Sequence, residues 1–256
     1  MTFGLGVHYL GLALGFAIII GLTAAIGTVV PLLVLSQVEP TSMRGIIILT
    51  GMVIVLIGIS VCSWAGKLRE NASTGNPALS DSSERRTYGL GLLICIASGV
   101  LCPCGNLGFA FGSEVTAVVT RLGTAAQYAS NPLWAILTLP LLICNTSFCI
   151  YLLVQKQSLR NFLLPGKGRN FLLAGSMGAM WLAGMTLYGM GANRLGRIGS
   201  SIGWALVMSL MVVIANLWGL STGEWRGVGR KPLRVMGAGL AILVVAMFLV
   251  GSAIKQ

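Results

Sequence analysis

The sequence predicts an all-α polytopic membrane helix bundle with about seven transmembrane helices. Composition is the first observation: of 256 residues, 55% are hydrophobic and only 9% charged, where soluble domains carry roughly a quarter. Mean hydropathy is +0.88. The second is the pattern. Apolar stretches at 9–35, 46–66, 89–111, 133–154, 171–192, 198–220 and 235–254 hold no Asp, Glu, Lys or Arg. A hydrocarbon core of about 30 Å needs about 20 apolar helical residues, and inside it the backbone must satisfy its own N–H and C=O groups, as a helix does.

The third observation is the distribution of charge. The net charge is +11, yet no basic groove with interleaved aromatics marks a nucleic-acid surface. Alternate assignment of the loops puts Lys67, Arg69, Arg85, Arg86, Lys156, Arg160, Lys167, Arg169, Arg226, Arg230, Lys231 and Arg234 on one side. Arg44, Arg121, Arg194, Arg197 and Lys255 fall on the other. The first side is read as cytoplasmic by the positive-inside rule, with the N-terminus inside and the C-terminus outside.

In chain order, residues 1–8 run straight into the first span, with no cleavable signal peptide expected. Gly11 and Gly15 stand in the spacing that lets helices approach closely, and Pro31 is expected to kink the far end. The second span, 46–66, is followed by the most polar segment, 67–87, read as a mobile connector. The third span is interrupted at Cys102-Pro103-Cys104, between Gly99, Gly105, Gly108 and Gly112. Such a break is tolerated at membrane depth where protein or a water-filled cavity satisfies the freed backbone. It reads equally as a packing kink or as a substrate-binding discontinuity of the kind transporters use. Val115, Val118, Val119 and Leu122 then space an amphipathic helix within 113–129. Four further apolar spans complete the chain.

Chemistry is sparse. Cys62, Cys95, Cys144 and Cys149 sit in apolar stretches, where a thiol packs as a small hydrophobe; Cys102 and Cys104 lack the partners of a zinc site. No metal or cofactor is expected, and no hydrolase, metalloprotease or phosphate-loop motif is present. The acids Glu39, Glu70, Asp81, Glu84, Glu114 and Glu224 all lie in loops or at span ends. Of these, Glu114 closes the Gly-rich span and is the candidate to carry a coupling proton. Asn106, Asn145, Asn216, Trp181, Tyr188 and Trp204 are the candidate substrate contacts, because amides donate and accept and aromatic rings stack on the apolar face of a sugar. The same side chains also serve to bridge and pack membrane helices.

Several runs, taken in their order and spacing, resemble the L-rhamnose–proton symporter family of the drug/metabolite transporter superfamily. They are Phe3-Gly4-Leu5 through Tyr9-Leu10-Gly11, Gly27-Thr28-Val29-Val30-Pro31, Ala65-Gly66-Lys67-Leu68-Arg69-Glu70, Gly178-Ala179-Met180-Trp181, and Glu224-Trp225 followed by Gly229-Arg230-Lys231-Pro232. The resemblance implies ten helices in two inverted five-helix repeats, alternating access, and uptake of a sugar such as L-rhamnose with protons across the inner membrane. It places the first span as the family's fourth helix, so the chain reads as N-terminally truncated: 1–66 a two-span remnant of the first repeat, 67–88 a polar cytoplasmic loop, 89–256 the second repeat. The break at 101–111 departs from the family pattern, which leaves another sugar or small metabolite open as substrate. The alternative reading is a non-transporting membrane protein: a sensor, an assembly partner or an inactive remnant.

Overall fold

A computed structural model describes residues 2–35, 38–74, 82–158 and 167–254, which form helices joined by turns with no strand among them. The helices are α1 Thr2–Leu10, α2 Leu12–Val34, α3 Met43–Thr74, α4 Ser82–Leu101, α5 Cys104–Phe111, α6 Ser113–Arg121, α7 Asn131–Gln155, α8 Lys167–Leu195, α9 Gly199–Ser221 and α10 Arg230–Ser252. Seven segments among the described residues are long and apolar enough to cross a membrane, one for each predicted stretch, with α4 and α5 together supplying the third. The expected fold class is the observed one.

The chain divides into two compact units. The first comprises Met1–Leu107 and Arg197–Gln256, the second Gly108–Gly196.

In the first unit, α3 and α10 run antiparallel along a seam of small residues. Gly51 meets Val250, Gly58 meets Leu243, and Gly239 meets Cys62; a Cβ on any of these glycines would fall within 2.7 Å of its neighbour. In lipid, helix association depends on packing rather than on escape from water, so small residues at the contact set how near two axes come.

The centre of this unit is organised by two prolines. Pro31 lies inside α2, and lacking an N–H it leaves the carbonyl four residues back, that of Gly27, without a helical donor. Asn106 of α5 supplies one: its Nδ2 donates to Gly27 O at 2.8 Å and to Ser200 O of α9 at 3.2 Å. Pro103 deprives the Gly99 carbonyl in the same way, and the Thr23 hydroxyl of α2 donates to it at 3.5 Å. Trp204 of α9 closes the arrangement, its Nε1 donating to Thr23 O at 3.0 Å. Its indole lies against Gly27, where any side chain would collide with the ring. The broken third span is thus satisfied by protein groups, as backbone at membrane depth must be.

Three sequence expectations are corrected. First, the start of the chain does not merge into the first span. Gly11 has φ 81°, a conformation glycine adopts without penalty, and it separates α1 from α2. Gly15 then packs on Val7, while Gly6 meets Cys95 and Gly91 meets Tyr9, so α1 folds back antiparallel to α4. Residues near Thr2 therefore lie alongside α4, and Gly11 serves a turn rather than a helix contact. Second, the polar stretch 67–87 is helical to Thr74 and again from Ser82, because Lys67, Leu68, Arg69 and Ala72 are good helix formers; residues 75–81 lie outside the described residues. Third, the helix expected within 113–129 ends at Arg121, where Gly123 at φ 94° turns the chain; no residue of α6 is buried.

In the second unit, Phe109, Trp134 of α7 and Tyr188 of α8 form an aromatic cluster with ring centroids 5.1, 5.4 and 6.0 Å apart. Gly189 seats against Ser130 and Trp134, and Gly108 against Leu137.

Replacing Asn106 by Leu leaves the Gly27 carbonyl buried and unpaired, which costs about 1–3 kcal/mol. The variant should melt earlier in detergent. Adding Pro31→Ala returns a backbone N–H to that carbonyl and should recover part of the loss; a strictly additive double variant would show that the two groups are not coupled.

Candidate functional site

The first unit contains a cavity of about 280 Å³, at the low edge of the roughly 300–1,000 Å³ usual for small-molecule sites. Its walls include Phe16 of α2, Cys62, Ser63 and Arg69 of α3, Asn216 of α9, and Glu224 and Trp225 from the connection between α9 and α10. It lies at the end of the bundle that carries Lys67, Arg69, Arg226, Arg230, Lys231 and Arg234.

The local chain path explains each wall. The α3–α10 seam brings the last membrane turns of α3 beside the start of α10. There Trp225 is buried with Ala65 and Met236, against Leu233, Val235 and Leu240. The α9–α10 connection turns at Gly223, Gly227 and Gly229, all at positive φ, which returns Glu224 and Trp225 to the end of α3. Arg69 Nη1 then donates to Glu224 Oε2 at 3.0 Å, and its guanidinium lies over the Trp225 ring at 5.1 Å. A cation on an indole face gains from the ring quadrupole, most where water is partly excluded; the Arg69 side chain is 20% exposed.

Chemically, the cavity presents an amide, a hydroxyl, a fixed cation, a carboxylate and an indole. The amide is partly committed, since Asn216 Nδ2 donates to Val212 O at 2.8 Å, which leaves its carbonyl oxygen as an acceptor. This donor and acceptor mixture suits a polyhydroxylated neutral molecule, whose hydroxyls do both.

Of the residues singled out from sequence, Asn216 is the one that lines this cavity. Asn106 and Trp204 are buried nearby in the core, bonded to backbone carbonyls of α2 and α9. Tyr188 is buried in the aromatic cluster of the second unit. Asn145 and Trp181 sit on exposed faces of α7 and α8, Asn145 donating to Leu141 O at 2.9 Å. Glu114 is exposed in the first turn of α6. Sequence reasoning did not single out Arg69 or Trp225 as site residues. Both lie in the runs Ala65 to Glu70 and Glu224-Trp225 that carry the family resemblance, which was the available signal. No group of three or more His, Cys, Asp or Glu side chains placed to hold a metal occurs among the described residues.

Comparison with known proteins agrees with the membrane architecture. The sequence model of the L-rhamnose-proton symport protein (RhaT) family matches residues 1–256. The chain belongs to that family. It is 28% identical over 256 residues to the L-rhamnose-proton symporter of Mannheimia succiniciproducens, covering 97% of this chain and 73% of that one. It is 26% identical over 258 residues to those of Salmonella paratyphi B and Salmonella newport, covering 98% of this chain and 73% of each. No solved structure matches. Family membership and the seven apolar segments make this a multi-pass inner-membrane transporter.

The cavity's corner residues differ in what they hold together. Trp225→Ala opens a void among Ala65, Met236 and their neighbours and should cost about 3–5 kcal/mol. Arg69→Gln loses a partly solvated ion pair worth no more than about 1 kcal/mol. Melting in detergent should rank the two in that order, and an Arg69→Gln loss as large as the Trp225→Ala loss would contradict the assignment.

Proposed function

We propose that this chain carries a sugar of the L-rhamnose class across the membrane together with protons, by alternating access. The observation that carries the reading is the family match over all 256 residues; the relatives it resembles bear the name L-rhamnose-proton symporter. The cavity at the basic end supports it by its chemistry. A small neutral sugar needs hydroxyl partners and a ring to stack on, and Asn216, Ser63 and Trp225 are offered there. The work is translocation with no covalent step, so no enzyme activity and no cofactor enters beyond the proton.

Within this reading Asn216 is the leading sugar contact, with Asn106 and Trp204 holding the helices that frame it. Asn145, Trp181 and Tyr188 are proposed as sugar contacts in their own right, behind Asn216 because none lines this cavity. Glu114, in the loop assigned to the sparsely charged outer side, is proposed as the acid that meets the proton there. The five spans from Gly89 onward are proposed to form one repeat.

Addition of L-rhamnose to de-energised cells expressing the chain should make the medium more alkaline as sugar and protons enter together. No pH change from a membrane-inserted protein would remove the symport reading and leave a non-transporting one. Asn216→Ala should raise the KM for sugar severalfold with kcat little changed, the pattern of lost ground-state binding. Glu114→Gln should reduce the alkalinisation severalfold at unchanged protein level.

A further inference from the structure

We propose that the start of α7 and the end of α8 form a second sugar-binding site, separate from the cavity lined by Asn216, with Ser130, Asn131 and Trp134 as its hydrogen-bonding groups. The place of this site in transport rests on the reading above. The site itself rests on the geometry of the second unit.

Ser130 Oγ, Asn131 Oδ1 and Trp134 Nε1 are shut away from solvent without a hydrogen-bond partner among the described residues. Ser130 is fully buried and Trp134 is 6% exposed. Buried polar atoms are nearly always paired, so three of them in one helical turn need a physical reason. Ser130 is the N-cap of α7, a position whose hydroxyl ordinarily accepts from its own helix. Here the backbone at Ser130 is already helical, with φ −82° and ψ −15°, and the side chain makes no cap bond. It points across to α8 instead. A Cβ on Gly189 would collide with Ser130 Oγ and lie 3.4 Å from Trp134 Nε1. The hydroxyl and the indole N–H converge on one point of α8, and glycine offers neither of them a polar side chain.

One helical turn along from Ser130 and Gly189, Asn193 Nδ2 of α8 donates to Ala126 O at 3.3 Å. A groove of about 470 Å³ opens there, lined by Gln127, Met190, Asn193 and Arg194 among others, and its size is within the range of small-molecule sites. Trp134 is also stacked on Phe109 at 5.1 Å and tilted against Tyr188 at 6.0 Å. The polar set is a hydroxyl, an indole donor and an amide acceptor, held beside aromatic rings. Sugar hydroxyls donate and accept, and the apolar C–H face of a sugar packs on a ring. An anion would suit the α7 N-terminus and Arg194, but the Asn131 acceptor would meet it lone pair to lone pair. The chemistry selects a neutral polyhydroxylated solute.

In the described conformation α7 and α8 are closed on each other at Ser130 and Gly189. Parting them there breaks no hydrogen bond of Ser130 Oγ, Asn131 Oδ1 or Trp134 Nε1, because these atoms make none. Solute hydroxyls arriving through the groove supply the missing partners. The empty closed state carries the cost of unpaired buried groups and the loaded state is relieved of it, which favours binding. The loops at 122–130 and 193–197 fall on the sparsely charged side assigned as outer, so the groove is where solute is met from outside the cell.

Two measurements on the full chain in nanodiscs test this, and neither needs transport. The first is the tryptophan emission of the unsubstituted protein less that of Trp134→Phe, titrated with L-rhamnose, D-mannose and inorganic phosphate. A saturable change with at least one sugar and none with phosphate is expected. A difference signal flat to both sugars overturns the site, and a response to phosphate alone overturns the sugar assignment. The second is Ser130→Ala, followed by calorimetric sugar titration and by melting. Loss of an unpaired buried hydroxyl should leave the melting temperature equal or higher. Sugar affinity should fall about tenfold, the size of one lost hydrogen bond. Unchanged affinity overturns the site and leaves a pocket for an ordered water only. A lowered melting temperature also overturns it, because the hydroxyl then serves the fold. Sugar binding here in a protein that shows no sugar-linked proton movement would sink the transport reading and leave the site standing.

Discussion

A proline in a membrane span frees a carbonyl that no water can reach, and the core of the first unit is arranged around two carbonyls so freed. Pro31 orphans Gly27 O and Pro103 orphans Gly99 O; each is met by a side chain from across the interface, Asn106 and Thr23 respectively. Asn106 also bonds Ser200 O, and Trp204 bonds Thr23 O. Three helices, α2, α5 and α9, are bound into one block through Asn106 and Trp204, and the bond from Asn106 to Gly27 O also repairs a break in the backbone. Such bonds are hard to replace in lipid, where the alternative is an unsatisfied polar group. The absence of a side chain at Gly27 is part of the same solution, since Trp204 occupies that space.

From this block the cavity is built outward by a different principle. The α3–α10 seam is held by shape, with glycines at 51, 58 and 239 letting larger neighbours in. That close approach brings the end of α3 to the α9–α10 connection, where Trp225 is buried and Arg69 meets Glu224. The core is engaged in holding helices, while the cavity at the basic end presents an ion pair, a hydroxyl and an amide. A carrier that alternates between two faces needs that division, because rigid elements must move as bodies while a few contacts at a mouth are made and broken.

The family match and this geometry meet at particular residues. The run from Ala65 to Glu70 and the pair Glu224-Trp225 were read as resemblance markers at opposite ends of the chain. In the fold, Ala65 and Trp225 share one buried cluster, and Arg69 and Glu224 share one ion pair. Asn216 was legible as a polar group within a span, and it lines the resulting cavity. Asn106 was also legible as a polar group in a span. Its service to a proline-freed carbonyl was not, because that requires knowing which helix lies opposite.

The sequence by itself determined the spans, the helical class and the asymmetry of charge between alternate loops. These follow from transfer of individual side chains and backbone groups into lipid, a quantity that sums along the chain with little regard to neighbours. Local turns were partly legible: Gly11 looked like a helix contact and became a break only because its φ is positive. The tertiary structure alone decided the pairing of Asn106 with Gly27, the seat of Trp204 and the meeting of Arg69 with Glu224. Each joins residues 79 to 181 apart in sequence, and such contacts depend on which small residues let which helices approach, a property of surfaces in three dimensions rather than of composition along one.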